Sequence, residues 1–136
     1  MIYLSEFYLP NAEDEEDFLY CEKRTCFNTF YPFMIFPELE LEELVFEPVT
    51  IFYGGNGTGK STLLKIIAET LKLKRNAVFN KSNFFNEYIK MCESVTVNKI
   101  PSESRISAPG SFRLSLPCTC VCSCSCVSRR FGYCSS

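Results

Sequence analysis

The sequence contains no histidine and no glutamine, and its only aspartates are Asp14 and Asp17. No run approaches the roughly 18 consecutive apolar residues that a membrane-spanning helix needs. The N-terminal residues carry no basic segment ahead of an apolar stretch, so we do not expect a secretory signal peptide. Together these absences favour a cytoplasmic protein with no membrane segment.

The composition is otherwise ordinary for one globular domain, with 46% hydrophobic and 22% charged residues in a chain of 136. The net charge of −2 hides an asymmetry. Residues 1–50 hold 12 acidic and 2 basic side chains, giving −10, whereas residues 51–136 hold 4 acidic and 12 basic ones, giving +8. The basic half could bind a polyanion, for which a nucleotide triphosphate is the nearest candidate, or its lysines could form a solvated helix face. Nothing indicates nucleic acid.

Hydrophobic patterns predict two strands and two helices ahead of residue 100. Ile2–Leu9 is rich in aromatic and branched residues and predicts a strand. Val49–Tyr53 is apolar at nearly every position, which predicts a strand covered on both faces in a parallel sheet. Leu63, Leu64, Ile67 and Leu71 recur at helical spacing and predict an amphipathic helix from Lys60 to about Leu73. Asn83–Val95 is a second candidate helix.

The remaining segments give weaker signals. We expect residues 11–18 to form an acidic, solvated loop, and Phe27–Phe36, which is broken by Pro32, to be extended. Glu38–Leu44 alternates acidic residues with leucine, which is compatible with a strand or a short surface helix. Ala77–Phe79 could be the next strand after the Lys60 helix, reached by a right-handed crossover.

One motif points to a specific chemistry. Gly54, Gly59, Lys60 and Ser61 match the pattern G-x-x-x-x-G-K-[ST], between an apolar strand and an amphipathic helix. Glycines allow backbone angles that a Cβ forbids, so that the amides can point at a phosphate at the start of the helix. Lys60 would reach the β- and γ-phosphates, and the Ser61 hydroxyl would be one ligand of Mg²⁺. The motif predicts nucleotide binding.

The longer segment "PVTIFYGGNGTGKSTLLKIIAETL" (48–71) resembles the ABC-type ATPase domains of the AAA-family branch. The resemblance implies an α/β P-loop NTPase fold, with a parallel sheet and N-terminal antiparallel strands, of which residues 1–105 would be the N-terminal part. It also implies ATP and Mg²⁺ as ligands and a homodimer or a partner ATPase subunit. The implied nucleotide contacts are Gly54, Gly55, Asn56, Gly57, Thr58, Gly59, Lys60, Ser61 and Thr62. In transporter-type members an aromatic residue upstream of the lysine stacks on adenine. Phe30, Tyr31 and Phe33 occupy that window, although a core role is the more frequent one.

The same resemblance shows what hydrolysis would lack. The acids after Ser61 are Glu69, Glu87, Glu93 and Glu103, and none ends an apolar strand as the Mg²⁺-binding acid of such ATPases does. With no glutamine and no histidine, the glutamine loop, the signature glutamine and the switch histidine are missing as residue types. The prediction is therefore ATP binding with no catalytic residue assigned and no efficient hydrolysis. A small P-loop kinase is an alternative.

The composition changes after Pro101. Residues 101–136 contain ten serines and six cysteines but no lysine and no asparagine, as a frameshift or a fusion near Ile106 would produce. We therefore expect residues 106–136 to be a disordered, low-complexity tail. Its C-x-C ladder offers a further alternative function, thiolate metal binding. The ladder consists of Cys118, Cys120, Cys122, Cys124 and Cys126. The three cysteines ahead of residue 101, Cys21, Cys26 and Cys92, are expected to be ordinary buried thiols.

Overall fold

The computed structural model of the chain describes residues 3–25, 29–47, 49–54, 57–75, 82–99, 105–107, 113–116, 119–125 and 132–135. Three α-helices and one short 3₁₀ helix (Pro37–Leu39) lie in these ranges, the α-helices being α1 (Ala12–Cys21), α2 (Lys60–Thr70) and α3 (Phe85–Met91). The strands are β1 (Leu4–Tyr8), β2 (Glu43–Val45), β3 (Val49–Gly54), β4 (Lys74–Arg75), β5 (Glu93–Thr96), β6 (Arg105–Ser107), β7 (Arg113–Leu116), β8 (Thr119–Ser125) and β9 (Gly132–Ser135).

The first sheet is antiparallel, in the order β2-β1-β5. Glu6 of β1 lies opposite Val45 on one side and Val95 on the other, and Phe7 lies opposite Leu44 and Ser94. Leu4 and Phe7 are both fully buried, although regular alternation along a strand would place residues three positions apart on opposite faces. A register shift between Leu4 and Glu6 allows Leu4 and Phe7 to face the same side of the sheet although they are three positions apart.

The core lies between this sheet and the three helices. It is mostly aromatic and aliphatic, with stacked Phe18 and Phe33 rings 4.9 Å apart and Tyr88 edge-on to Phe33 at 5.0 Å. Its fully buried side chains come from β1, β2, β3, α2, the segment before α3 and α3 itself, and include Leu4, Phe7, Leu44, Phe52, Leu63, Leu64, Ile66, Ile67, Phe84, Phe85 and Tyr88. Burial of this apolar surface is the main source of stability.

The predicted P-loop NTPase fold is wrong. That fold needs consecutive parallel strands joined by helices, with the strand that follows α2 close to β3 in one sheet. Here β3 belongs to a six-stranded mixed sheet of order β4-β6-β7-β8-β3-β9, in which three other strands separate β4 from β3. The pairs β3–β9, β6–β7 and β7–β8 are antiparallel, and β3–β8 and β4–β6 are parallel.

The apolar run in β3 was the source of this error. Thr50 and Phe52 are fully buried, but Ile51 and Tyr53 retain 40% and 36% of their exposure. One face of β3 is therefore buried and the other is partly exposed to solvent, as in a sheet that packs against the core on one side only. Residues 106–136 were also expected to be disordered, whereas β7, β8 and β9 pair with one another or with β3.

Several local predictions can now be compared with the structure. The strand predicted at Ile2–Leu9 is confirmed as β1, and the helix predicted from Lys60 is confirmed as α2, which ends at Thr70. The helix predicted at Asn83–Val95 is confirmed only as the shorter α3, because the chain turns into β5 after Cys92. The strand proposed at Ala77–Phe79 lies outside the described residues.

The acidic loop predicted at residues 11–18 is wrong, because this segment forms α1. The Asn11 side chain caps the helix by accepting a hydrogen bond from the Asp14 amide at 2.8 Å. The acidic first turn, Glu13, Asp14 and Glu15, complements the positive end of the helix dipole. Residues 31–36 are turns rather than the expected extended segment, and residues 38–44 divide between the 3₁₀ helix and β2.

Candidate functional site

The candidate site is the connection between β3 and α2. Gly54 is the last residue of β3, Gly57 and Thr58 form the turn, and Gly59 is the N-cap of α2. Lys60, Ser61 and Thr62 form the first turn of the helix. Gly55 and Asn56 lie outside the described residues. The structure therefore places seven of the nine predicted nucleotide contacts along one strand–turn–helix connection.

The described glycines of this connection, Gly54, Gly57 and Gly59, all have a positive φ, which favours glycine. Gly57 has φ 79° and Gly59 has φ 89°, both in the left-handed region. At Gly57 a Cβ would meet no atom within 4 Å, so the requirement there is conformational. At Gly59 a Cβ would also lie 3.3 Å from Ile35 Cγ2, so that this position is limited by space as well.

Lys60 bridges the two ends of the connection. Its Nζ donates one hydrogen bond to the Gly54 carbonyl oxygen at 2.7 Å and another to Thr58 Oγ1 at 3.2 Å. Only 8% of the residue is exposed. Both of these acceptors are neutral oxygens, so the two bonds stabilise the ammonium group without neutralising its charge.

The N-terminus of α2 carries no negative complement of its own. None of the first-turn residues of α2 is acidic, and the N-cap Gly59 has no side chain that could accept a hydrogen bond. A lysine at the first helical position adds a positive charge to the positive end of the helix dipole. In α1, by contrast, three acidic residues occupy the first turn. The start of α2 is thus electrostatically suited to an anion.

The residues proposed to contact adenine have different surroundings. Phe33 lies in the core with 4% exposure, as expected for a structural aromatic residue. Tyr31 is half-buried, its ring is stacked with that of Phe85 at 6.1 Å, and its hydroxyl donates to Thr62 Oγ1 at 3.2 Å. Phe30 is 42% exposed. Of the three, Tyr31 has a hydrogen bond to the site, and base stacking stays a prediction.

Among the residues that the structure describes, the acidic side chains do not assemble into a metal site. Glu69 lies at the end of α2, Glu87 lies 3.6 Å from Arg24 in an ion pair, and Glu93 is exposed on β5. Glu103 is not among the described residues. Within the described ranges, no three histidine, cysteine, aspartate or glutamate side chains are grouped so that they could hold a metal ion.

The cysteines also divide by environment. Cys92 is buried, as predicted, and burial raises the pKa of its thiol to about 12. Cys21 is exposed, which contradicts the prediction, and Cys26 lies outside the described residues. Cys120, Cys122 and Cys124 alternate along β8 and therefore share one face of that strand. Cys118 and Cys126 fall beyond the described part of the ladder, and thiolate metal binding stays a prediction.

Sequence reasoning missed the residues that support the connection from outside. Ile35 and Phe36 lie beside Gly59, and the buried Glu15 on α1 holds the turn that contains them. The spacing of residues in α1 is the one signal that could have identified Glu15. Ala12, Glu15, Phe18 and Leu19 lie three, three and one positions apart, so in a helix Glu15 shares a face with apolar residues.

Comparison with known proteins identifies no relative of this chain. No protein-family model, no curated protein and no solved structure matches this chain. None of the helices in the described ranges is long and apolar enough to cross a bilayer. The geometry of the connection between β3 and α2 is therefore the basis for assigning a function.

Proposed function

We propose that the connection Gly54–Thr62 binds the phosphates of a nucleoside triphosphate, namely ATP with Mg²⁺. The observation that carries this proposal is the buried ammonium group of Lys60 at the acid-free N-terminus of α2. An anion there would interact with Lys60, with the first amides of the helix, which have no intrahelical acceptor, and with the helix dipole together. The proposal concerns ligand binding and does not depend on an ABC-type fold.

The residues present suit a phosphate ligand in shape as well as in charge. Gly57 is open on the side where a Cβ would stand, and Gly59 has no side chain between its amide and a ligand. Ser61, in the first turn of α2, would supply one oxygen ligand to Mg²⁺, and the other ligands would be phosphate oxygens and water. When bound, Mg²⁺ would neutralise part of the phosphate charge.

We further propose that binding is not followed by efficient hydrolysis. Turnover needs a second acid to hold Mg²⁺ and a group that orients the attacking water. Glu69, Glu87 and Glu93 lie on elements other than the connection or at the far end of α2. A cytoplasmic location and a partner ATPase subunit accord with this function but have no structural support of their own.

Titration with a fluorescent ATP analogue, for wild type and Lys60→Met, tests the proposal. Methionine retains the apolar stem of the side chain and removes its charge, so binding should weaken by about tenfold to a hundredfold. Lys65→Met removes a lysine from the same helix and is the matched control, for which we expect unchanged binding. Equal affinity of wild type and Lys60→Met would refute the proposal.

A steady-state phosphate-release assay on the same proteins tests the second part. We expect ATP binding that depends on Lys60, with phosphate release no faster than that of the Lys60→Met variant. Release that is fast in wild type and lost in Lys60→Met would show that the chain has an acid capable of supporting hydrolysis.

A further inference from the structure

The carboxylate of Glu15 is the buried acidic group outside the candidate site with the most specific contacts. Glu15 lies on α1 and is fully buried. Its Oε2 accepts a hydrogen bond from the backbone amide of Met34 at 2.5 Å, and its Oε1 accepts one from the Tyr88 hydroxyl at 3.1 Å. A buried carboxylate is costly unless hydrogen bonds compensate for the lost solvation, so these two contacts are structurally important.

The Met34 amide belongs to a turn that needs external support. Met34 has φ 64°, in the left-handed region that residues with a Cβ seldom occupy. Such a conformation persists where the surrounding structure determines it. The hydrogen bond from the Met34 amide to Glu15 is a contact of this kind, because it ties the centre of the 31–36 turn to α1.

The other side of the 31–36 turn lies against the start of α2. A Cβ on residue 59 would stand 3.3 Å from Ile35 Cγ2 and 3.6 Å from Phe36 Cε1, so these two side chains fill the space beside Gly59. The Gly59 carbonyl oxygen accepts the Leu63 amide at 2.8 Å, a hydrogen bond of the first turn of α2. From the same turn, Tyr31 reaches Thr62 through its hydroxyl.

We propose that Glu15 is a positioning residue for the phosphate loop, acting through the 31–36 turn. Glu15 fixes the Met34 amide, the turn then holds Ile35 and Phe36 against Gly59, and Gly59 is thereby kept in the conformation that directs the first amides of α2 toward the ligand. This inference rests on the proposed function of the loop. It assigns Glu15 no contact with the ligand.

Four variants separate positioning from general stability. Glu15→Ala removes the acceptor for Met34, whereas Glu15→Gln keeps an oxygen at the same distance along the side chain. Tyr88→Phe removes the other hydrogen bond of Glu15 and leaves the Met34 contact in place. Ile35→Ala leaves Glu15 intact and removes the contact with Gly59. Binding of the fluorescent ATP analogue is measured well below the melting temperature of each protein.

We expect Glu15→Ala and Ile35→Ala each to raise Kd by about threefold to thirtyfold. Glu15→Gln and Tyr88→Phe should stay within about twofold of wild type. Wild-type affinity in folded Glu15→Ala, or equal losses in Glu15→Ala and Tyr88→Phe, would overturn the proposal. If Glu15→Ala does not fold, the Ile35→Ala variant provides the test. Wild-type affinity of folded Ile35→Ala for the ATP analogue would show that the 31–36 turn does not position the loop, which would overturn the proposal.

Amide hydrogen exchange in the ligand-free protein makes failure of this inference distinguishable from failure of the proposed function. Glu15→Ala and Ile35→Ala should accelerate exchange of the Leu63 amide, which is bonded to Gly59. They should leave the Leu71 amide, bonded to Ile67 at the other end of α2, unchanged. If binding does not depend on Lys60, the proposed function fails, and the Leu63 exchange still tests the positioning role. Unchanged Leu63 exchange in both variants would refute that role.

Discussion

Replacing Glu15 with glutamine should stabilise the protein at neutral pH, although it removes a carboxylate that makes two hydrogen bonds. Burial raises the pKa of Glu15 above its ordinary value of 4.5, even though the hydrogen bonds from Met34 and Tyr88 act in the opposite direction. The desolvation of the charge thus outweighs the two hydrogen bonds that stabilise it.

The sign of the pH dependence follows from linkage. Because the pKa of Glu15 is higher in the folded than in the unfolded state, the folded state binds the proton more tightly. This contribution to stability is complete below the unfolded pKa, near pH 4.5, and is lost as the pH rises through the folded pKa. Glutamine does not titrate, so the difference in unfolding free energy between Glu15→Gln and wild type should increase with pH over that window. Each unit of pKa shift adds about 1.4 kcal/mol to this difference.

The contacts of Glu15 determine how far the variants Glu15→Gln and Glu15→Ala should differ from wild type in their free energy of unfolding. In Glu15→Gln the amide oxygen can accept from the Met34 amide, and the amide NH₂ can donate to the Tyr88 hydroxyl oxygen, so each partner retains one hydrogen bond to the side chain. Glu15→Ala leaves the part-buried Met34 amide and the buried Tyr88 hydroxyl without this acceptor, which costs about 1–3 kcal/mol for a buried group, and it opens a cavity. Glutamine should therefore be stabilising and alanine strongly destabilising at the same position.

Urea unfolding followed by circular dichroism, at about pH 4, 6 and 8, tests these expectations around the linkage window. Glu16→Gln is the matched control, because Glu16 is the exposed neighbour of Glu15 on α1 and its replacement changes the helix charge equally. A difference between Glu15→Gln and wild type that stays flat or shrinks as the pH rises would refute the reasoning. So would a Glu15→Gln variant as unstable as Glu15→Ala.

Two further predictions concern α1 and the thiols. Asn11→Ala should lower the unfolding free energy by about 1 kcal/mol, because the Asp14 amide loses its cap, whereas Asn11→Asp should retain most of the stability; equal losses in urea unfolding would contradict a capping role. In the folded protein at about pH 8, the exposed Cys21 should react with iodoacetamide long before the buried Cys92, whose pKa is raised to about 12. Peptide mass mapping measures both sites, and early labelling of Cys92 without unfolding would contradict its burial.

The sequence predicted those elements whose signal is local. The spacing of Leu63, Leu64 and Ile67 was sufficient for α2, since these residues must share a helix face and all three are fully buried. Val49–Tyr53 was sufficient for a strand, but apolar content alone did not reveal that Ile51 and Tyr53 face outward. Composition reports how apolar a strand is, whereas the number of covered faces depends on what packs against it.

The errors have physical reasons as well. The run of acids in residues 13–17 suggested a solvated loop, but acids in a first turn behind a capping asparagine are also a signature of a helix start. The P-loop fold was inferred from one strand–loop–helix segment, and such a segment does not determine how later strands pair. No local feature of Glu93–Thr96 indicates that it pairs with β1.

The residues of the candidate site also divide into those that have a local signal in the sequence and those that do not. The motif identified Lys60 and the glycines, because each carries a requirement of charge or backbone angle at a fixed spacing. The spacing in α1 could have placed Glu15 on an apolar helix face, but the relation of Glu15 and Ile35 to Gly59 could not be identified, because it arises from packing between α1, the 31–36 turn and α2. Contacts of this kind, between segments that are remote in sequence, could not be predicted from this single sequence.

The place of β1 in the middle of its sheet has a consequence for how the chain is made. Leu4–Tyr8 leaves the ribosome before both of its neighbours, Glu43–Val45 and Glu93–Thr96. This strand therefore obtains its second partner only after the chain has been synthesised as far as Thr96, and until then one of its edges is available to other chains. Nascent chains stalled before Glu93 should consequently be more prone to self-association than chains released after Thr96.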